Sequence, residues 1–285
     1  MRIGIVSNRA SGRGKAAALA DRAATGLRAA GYEVVPIGLA ELDRVGDLDF
    51  LIAAGGDGTV RAVIPALLRT GAALYQLPVG TENLFSREFG MTVQLELMMK
   101  AVARGRTRPI DVAFADGTPF MIMLSVGPDA GVIHRVHAAR TGAITHLSYL
   151  KPVAQEIFSP SLPVLSATVD GRELVREEQG ILVVANCRQY GFRLDPALNA
   201  RMDDGLLDVV FLPARSSLAG LVWMARARFR RHLRHGALRC RTGSRIEIAG
   251  ESAPLRYQVD GEAGIASTGS ITIEVRPGAV RVLVP

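Results

Sequence analysis

The sequence has little cysteine, few aromatics and no long apolar run, and each shortage narrows what the chain can be. Cys187 and Cys240 are its two cysteines, and their spacing suits neither a metal knuckle nor a disulfide framework. Two such thiols fit a reducing compartment, so a cytoplasmic protein, peripheral at most to the inner membrane, is the expectation. Aromatic residues make up 5% of the chain. There is no aromatic-plus-basic RNA-binding motif and no zinc-finger spacing. No apolar stretch reaches the roughly 18–20 residues that cross a bilayer. The segment from Met1 to Val6 runs straight into a strand-like pattern, without the apolar region and cleavage site of a secretory leader. Acid is in short supply too: 27 Asp and Glu against 34 Lys and Arg give a net charge of +7. Such an excess attracts anionic substrates or anionic membrane surfaces. An arginine-preferring genome leaves the same excess with no partner at all.

The 285 residues are 48% hydrophobic and contain no low-complexity tract, enough for two modest domains with real cores. The first part alternates strand and helix. Strand-like runs cover residues 2–7, 33–37, 49–54 and 73–77, and helical patterns cover 15–30, 59–69 and 93–103. The run at 49–54 is apolar on both faces, as expected of a parallel strand covered by helices on each side. This rhythm predicts an open, doubly wound α/β sheet over residues 1–106. Beyond residue 107 the pattern changes. Asp116-Gly117, Asp170-Gly171 and Asp260-Gly261 each separate strand-like runs, and Asp-Gly is the strongest short hairpin signal. A mostly antiparallel β-sandwich is therefore expected over 107–274. Helical stretches near 130–139, 146–158 and 216–235 interrupt it, and a last strand near 275–285 returns to the first domain.

Three loops in the first part follow expected strands, where open α/β sheets bind ligands. The first, residues 8–15, carries Asn8, Ser11, Gly12, Gly14 and Lys15. Glycines, hydroxyls and basic side chains before a helix offer N–H groups and positive charge to phosphate. It lacks the spacer and the Gly-Lys-Ser/Thr ending of a Walker A loop, and by itself it is equally a βα turn. The second, Gly55-Gly56-Asp57-Gly58-Thr59, is far more specific. Its glycines let backbone approach a polyphosphate closely, and the following helix aims its dipole there. A bare carboxylate would repel phosphate, so Asp57 is expected to hold Mg²⁺ or orient a water shell; the plain alternative is a helix cap. The third, Pro78-Val79-Gly80-Thr81-Glu82-Asn83, offers a hydroxyl and an amide suited to ribose or adenine edges, or to capping.

Taken in order, these loops resemble the catalytic domain shared by diacylglycerol, sphingosine and ceramide kinases and soluble bacterial lipid kinases. The resemblance continues through Ser125–Ala130, through Asp203-Asp204-Gly205-Leu206-Leu207-Asp208, and through Asp260-Gly261-Glu262. It implies that the first domain binds ATP with Mg²⁺, that the β domain holds the lipid, and that the γ-phosphoryl group passes to a lipid hydroxyl. By the same resemblance Glu262 is the general base, Asp57 acts at the nucleotide loop, and Mg²⁺ lies at Asp204 with the backbone carbonyls of Arg201 and Leu206. The nucleotide is expected at Asn8, Ser11, Gly12, Gly55–Thr59, Thr81 and Asn83. Without the resemblance, the acidic cluster 203–208 is equally a solvated turn.

Four positions depart from the family pattern. Arg9 replaces a proline, Glu82 stands where a small residue is usual, and Arg61-Ala62 replaces an Asn-Glu pair. Glu82 could pair with Mg²⁺, turn outward or hinder the nucleotide. Two alternatives stay open: an NAD kinase, which shares the Gly-Gly-Asp-Gly-Thr loop, and an impaired nucleotide- or lipid-binding protein. Expected partners are a lipid substrate, an anionic membrane surface and a second copy of the chain, but not nucleic acid. Residues 221–241 interleave Trp223, Met224 and Phe229 with seven arginines, Arg226 to Arg241. They form either a membrane-facing segment or a helix packed on the β domain. The histidines, some spaced i,i+3, are expected in surface or structural roles.

Overall fold

The computed structural model describes residues 1–8, 14–139 and 146–285, arranged as two compact units. One unit comprises Met1–Asp111 and Gly278–Pro285, the other Val112–Pro277.

The first unit follows a βα rhythm: β1 (Arg2–Ser7), α1 (Lys15–Ala29), β2 (Glu33–Ile37), β3 (Phe50–Gly55), α2 (Asp57–Thr70), β4 (Ala73–Pro78), α3 (Leu84–Phe89), α4 (Leu95–Arg104) and the start of β5 (Thr107–Ala115). Its strands lie in the order β2-β1-β3-β4, all parallel. Arg281 and Val282, near the end of the chain, add a further parallel segment beside Ala73 and Leu74 of β4. Every residue of β3 is buried, which is why its sequence is apolar without alternation. Helix α1 turns Leu19, Ala23 and Leu27 inward, the i, i+4, i+8 stripe of a helix laid on a sheet. The chain leaves β1 toward β2 on one side and builds β3 and β4 on the other. The carboxyl ends of β1 and β3 thus form the topological switch point at which open α/β sheets take ligands.

The second unit contains β6 (Thr118–Phe120), β7 (Met123–Val126), α5 (Pro128–Ala138), α6 (Leu150–Phe158), β8 (Val164–Val169), β9 (Arg172–Ala185), β10 (Leu207–Pro213), α7 (Ser217–Arg228), β11 (Arg239–Gly243), β12 (Arg245–Gly250), β13 (Leu255–Val259), β14 (Glu262–Ala266) and most of β15 (Ser270–Leu283). One run of strands is β14-β13-β7-β9-β10-β11; the other is β9-β8-β12-β15-β5-β6. Among the described residues its strands pair antiparallel. Strand β9 belongs to both runs. It bends where its register with β8 shifts, and there Glu177 has φ 45°, a bulge that re-aims the strand. Between the two runs lies an apolar core that includes Phe120, Leu182, Val184, Phe211, Ile246 and Ile271. The alternate residues Val183, Ala185, Val210 and Leu212 face the other way and pack with Trp223 of α7. The three expected hairpins form at Asp116-Gly117, Asp170-Gly171 and Asp260-Gly261, with both residues of each turn at positive φ. That is the type I′ geometry the Asp-Gly pair favours. The expected α/β plus antiparallel β-sandwich class is thus the observed one.

Candidate nucleotide and catalytic sites

In the first unit the site is built by two βα loops in van der Waals contact. A Cβ on Gly80 would stand 2.5 Å from the Gly56 Cα, so only glycine lets the two backbones approach this closely. Gly55 is constrained in the same way, because a Cβ there would collide with the Thr59 side chain. Thr59 itself is buried, and its Oγ1 has no hydrogen-bond partner. Beneath the loop, buried Gln76 donates Nε2 to the Gly55 carbonyl at 3.0 Å. At the end of β1, the Asn8 N–H donates to Ala54 O at 3.4 Å, placing Asn8 beside the end of β3. Ser11 and Gly12, expected at the same loop, lie outside the described residues.

Asp57 has a role that the sequence did not reveal. It is the first residue of α2, after the N-cap Gly56, but its carboxylate turns toward the neighbouring loop. Oδ1 accepts the Phe85 N–H at 3.1 Å, and the N–H groups of Leu84 and Asn83 also point to it. Asp57 therefore ties the α2 loop to the start of α3, a role beside the metal, water-shell and capping roles expected of it. Burial pushes its carboxyl above the ordinary range, Glu82 adding to the rise, while the three N–H groups oppose it. Asn83 is likewise occupied. Its side chain accepts the Gly80 N–H and donates to the Gly80 carbonyl, both at 2.9 Å, clamping the glycine in place. Both polar atoms of its amide thus hold the glycine. Glu82 pairs with Arg87 of α3 at 3.5 Å, a partner the sequence did not offer. Thr81 is exposed at the tip.

In the second unit, the late Asp-Gly-Glu divides into two functions. The Asp260 carboxylate accepts N–H groups from Met121 at 2.8 Å, Ile122 at 3.0 Å and Met123 at 2.9 Å. It is a structural anchor that fixes the entry to β7. Glu262, the first residue of β14, keeps its side chain about one-third exposed. Its Oε2 lies 3.3 Å from His137 Nε2 on α5. His134, one turn earlier, reaches the carbonyls of Tyr257 and Gly264 at 3.1 and 3.0 Å, seating α5 on β13 and β14. The i,i+3 histidine pair therefore docks a helix and sets a cation-capable ring against Glu262. The spacing was visible in the sequence; the partner was not.

Beside this lies a partly buried chain of polar groups. Gln258 Nε2 donates to Ser125 Oγ at 2.6 Å, and the hydroxyls of Ser125 and Tyr190 both donate to Asp129 Oδ2. Burial, reinforced by Asp129, pushes the Tyr190 phenol well above its ordinary value. Nothing in the sequence singled out Tyr190. The acidic turn is organised locally: Leu206 N–H donates to Asp204 Oδ1 at 3.1 Å, and Arg201 pairs with Asp203 at 3.2 Å. Burial, with Asp204 nearby, raises Asp208 to about 6. Two carboxylates, Asp204 and Asp208, are thus close enough for one to raise the other, a repulsion that a divalent cation would relieve. Among the described residues no cluster of three or more Asp, Glu, His or Cys forms a metal site.

The sequence pattern of the diacylglycerol kinase catalytic domain matches residues 2–115, and that of the YegS C-terminal NAD kinase beta sandwich-like domain matches residues 122–284. The chain is 28% identical over 179 residues to sll0036 of Synechocystis sp., the match covering 63% of this chain and 41% of that protein. It is 27% identical over 225 residues to the diacylglycerol kinase of Bacillus subtilis, covering 76% of this chain and 72% of the relative. A solved diacylglycerol kinase from Bacillus anthracis str. Sterne superposes with a TM-score of 0.69 at 18% identity, over 100% of this chain and 97% of that one. The NADH kinase of yeast shares the fold at a TM-score of 0.55 and 12% identity, over 99% and 82%. With one pattern covering the catalytic segment and the other more than half of the chain, this protein belongs to the lipid kinase family that joins a diacylglycerol kinase catalytic domain to a YegS-type C-terminal domain.

Proposed function

We propose that the protein is an ATP- and Mg²⁺-dependent kinase that phosphorylates the hydroxyl of a lipid such as diacylglycerol. The observation that carries this reading is the Gly56–Gly80 backbone contact at the ends of β3 and β4, with Asp57 locking the two loops together. Such a pair of closely packed glycine loops before a helix N-terminus suits a polyphosphate. Gly55–Thr59 would hold the phosphates, with Asn8, Ser11, Gly12 and Thr81 around them, while Asn83 keeps Gly80 in place. Asp204, with the carbonyls of Arg201 and Leu206, would hold Mg²⁺, whose charge offsets that developing on the phosphoryl oxygens.

Glu262 is the base in this reading. As the lipid oxygen forms its bond to the γ-phosphorus and the bond to the β-phosphate oxygen breaks, the carboxylate takes the hydroxyl proton and ADP leaves. His137 orients that carboxylate. Such general-base help is worth about 10²–10⁴-fold in rate. The test is transfer of label from γ-labelled ATP to a panel of diacylglycerol, monoacylglycerol, sphingosine, phosphatidylglycerol and NAD, with Mg²⁺ added or chelated. Label in a lipid, lost without Mg²⁺, supports the reading. Label in NAD alone moves the protein to the NAD kinase branch, and label in none of them points to an impaired binding protein.

A further inference from the structure

Helix α7 carries apolar residues around its whole circumference but buries one side. Gly220, Trp223 and Ala227 face the sandwich, where Trp223 packs among Val183, Val210 and Leu212 and donates Nε1 to Pro213 O at 2.8 Å. The aromatic that the sequence offered for membrane contact is therefore an internal anchor. On the outer side Leu218 is 71% exposed, and beyond the helix end Phe229 is 72% exposed, with Leu221, Val222 and Met224 also open to solvent. Helix α6 packs against α7 and adds Phe158, 89% exposed. Exposed apolar side chains gathered along one helix in this way mark an interaction site.

Charge says what the partner is. From Val209 to Ile246 the chain holds nine arginines and no Asp or Glu. Arg239 and Arg245 are engaged by Glu178, Glu247 and Glu274. Among the described residues, no ion pair engages Arg228, Arg230, Arg231 or Arg234, all exposed at the end of α7 and just after it. Exposed Leu, Met and Phe edged by unneutralised arginines match an anionic bilayer, whose acyl boundary takes the apolar side chains while its headgroups take the cations.

We propose that the outer face of α7, continued through Phe229 to Arg234, docks the protein on an anionic phospholipid surface. This deepens the lipid kinase reading by saying where the acceptor is met. It is measured without nucleotide, so it stands or falls apart from catalysis. The full chain is floated with vesicles of phosphatidylcholine alone and of phosphatidylcholine with phosphatidylglycerol, at low and high salt. Binding to the anionic vesicles, weakened by salt, is expected. Replacing Arg228, Arg230, Arg231 and Arg234 by Gln should lower it at least about tenfold, given the pull of each basic residue near a charged surface. Leu221→Ser with Phe229→Ser should lower it several-fold and leave what remains more salt-sensitive. The two sets change different exposed side chains, so a misfolded variant in one leaves the other as the test. Wild-type protein that stays unbound at low salt, or two variant sets that float as well as wild type, would overturn the proposal. So would a dimer in solution that the Ser variants split, which would assign the face to a second copy. Equal retention by a polynucleotide, untouched by the Ser variants, would assign the arginines to nucleic acid instead.

Discussion

Asp57 shows how a single buried charge is kept at a cost. Its carboxyl is pushed above the ordinary 3.8, so the folded state binds its proton more tightly than the unfolded chain does. That preference favours folding below the ordinary value and is lost as the pH rises through the raised one. Asp57→Asn keeps an oxygen for the Phe85 N–H and removes the buried charge. At neutral pH the variant should melt at or above the wild-type temperature, and the difference should close as the pH falls through the raised pKa. A variant less stable than wild type at neutral pH would mean that its three N–H partners outweigh burial. Glu262 and His137 give a second test at this scale. Glu262→Gln should cut phosphoryl transfer by about 10²–10⁴-fold with little change in melting. His137→Asn should lower kcat more than KM and alter the pH–rate profile, whereas a residue that merely seats α5 would leave that profile where it was.

Among the elements, α7 separates docking from display. Trp223 fills the space over Val183, Val210 and Leu212, and Trp223→Ala should cost about 3–5 kcal/mol, the usual toll for truncating a buried tryptophan. Chemical denaturation of the two proteins would measure it. Met224→Ser, one residue further on the exposed side, should change stability by less than about 0.5 kcal/mol. Legibility in the sequence divides along similar lines. The three Asp-Gly turns could be read because a type I′ hairpin demands positive φ at two successive residues, and few pairs supply it. The βα loops could be read because glycine spacing reflects backbone approach. Strand β9 could not: its passage between two runs of strands depends on a bulge at Glu177, a residue with no turn signature. His137 beside Glu262 and Tyr190 on Asp129 were equally hidden, since contacts 125 and 61 residues apart along the chain arise from topology and leave no local pattern.

For the whole molecule, the chain's order and the fold's order differ, and a truncation exposes the difference. Gly278–Pro285 is last in sequence but belongs to the first unit. Val280, Val282 and Leu283 are buried there, Arg281 and Val282 pair with the start of β4, and Arg281 donates to the Gly71 carbonyl at the end of α2. Val284 N–H also bonds Arg106 O at 3.1 Å, fastening the segment that follows α4. Ending the chain at Pro277 would bare one edge of β4 and the side chains beneath it, although no residue of the nucleotide loops is touched. The removed apolar burial is worth several kcal/mol at about 25 cal/mol per Å², a large share of the roughly 5–15 kcal/mol that holds a domain together. Hydrogen exchange should therefore quicken in β3, β4 and α2 of the truncated protein, while the strands around Phe211 and Ile246 in the second unit keep their protection. Uniform loss across both units would show that they unfold as one. No change in β4 would show that the terminal segment is dispensable to the sheet it completes.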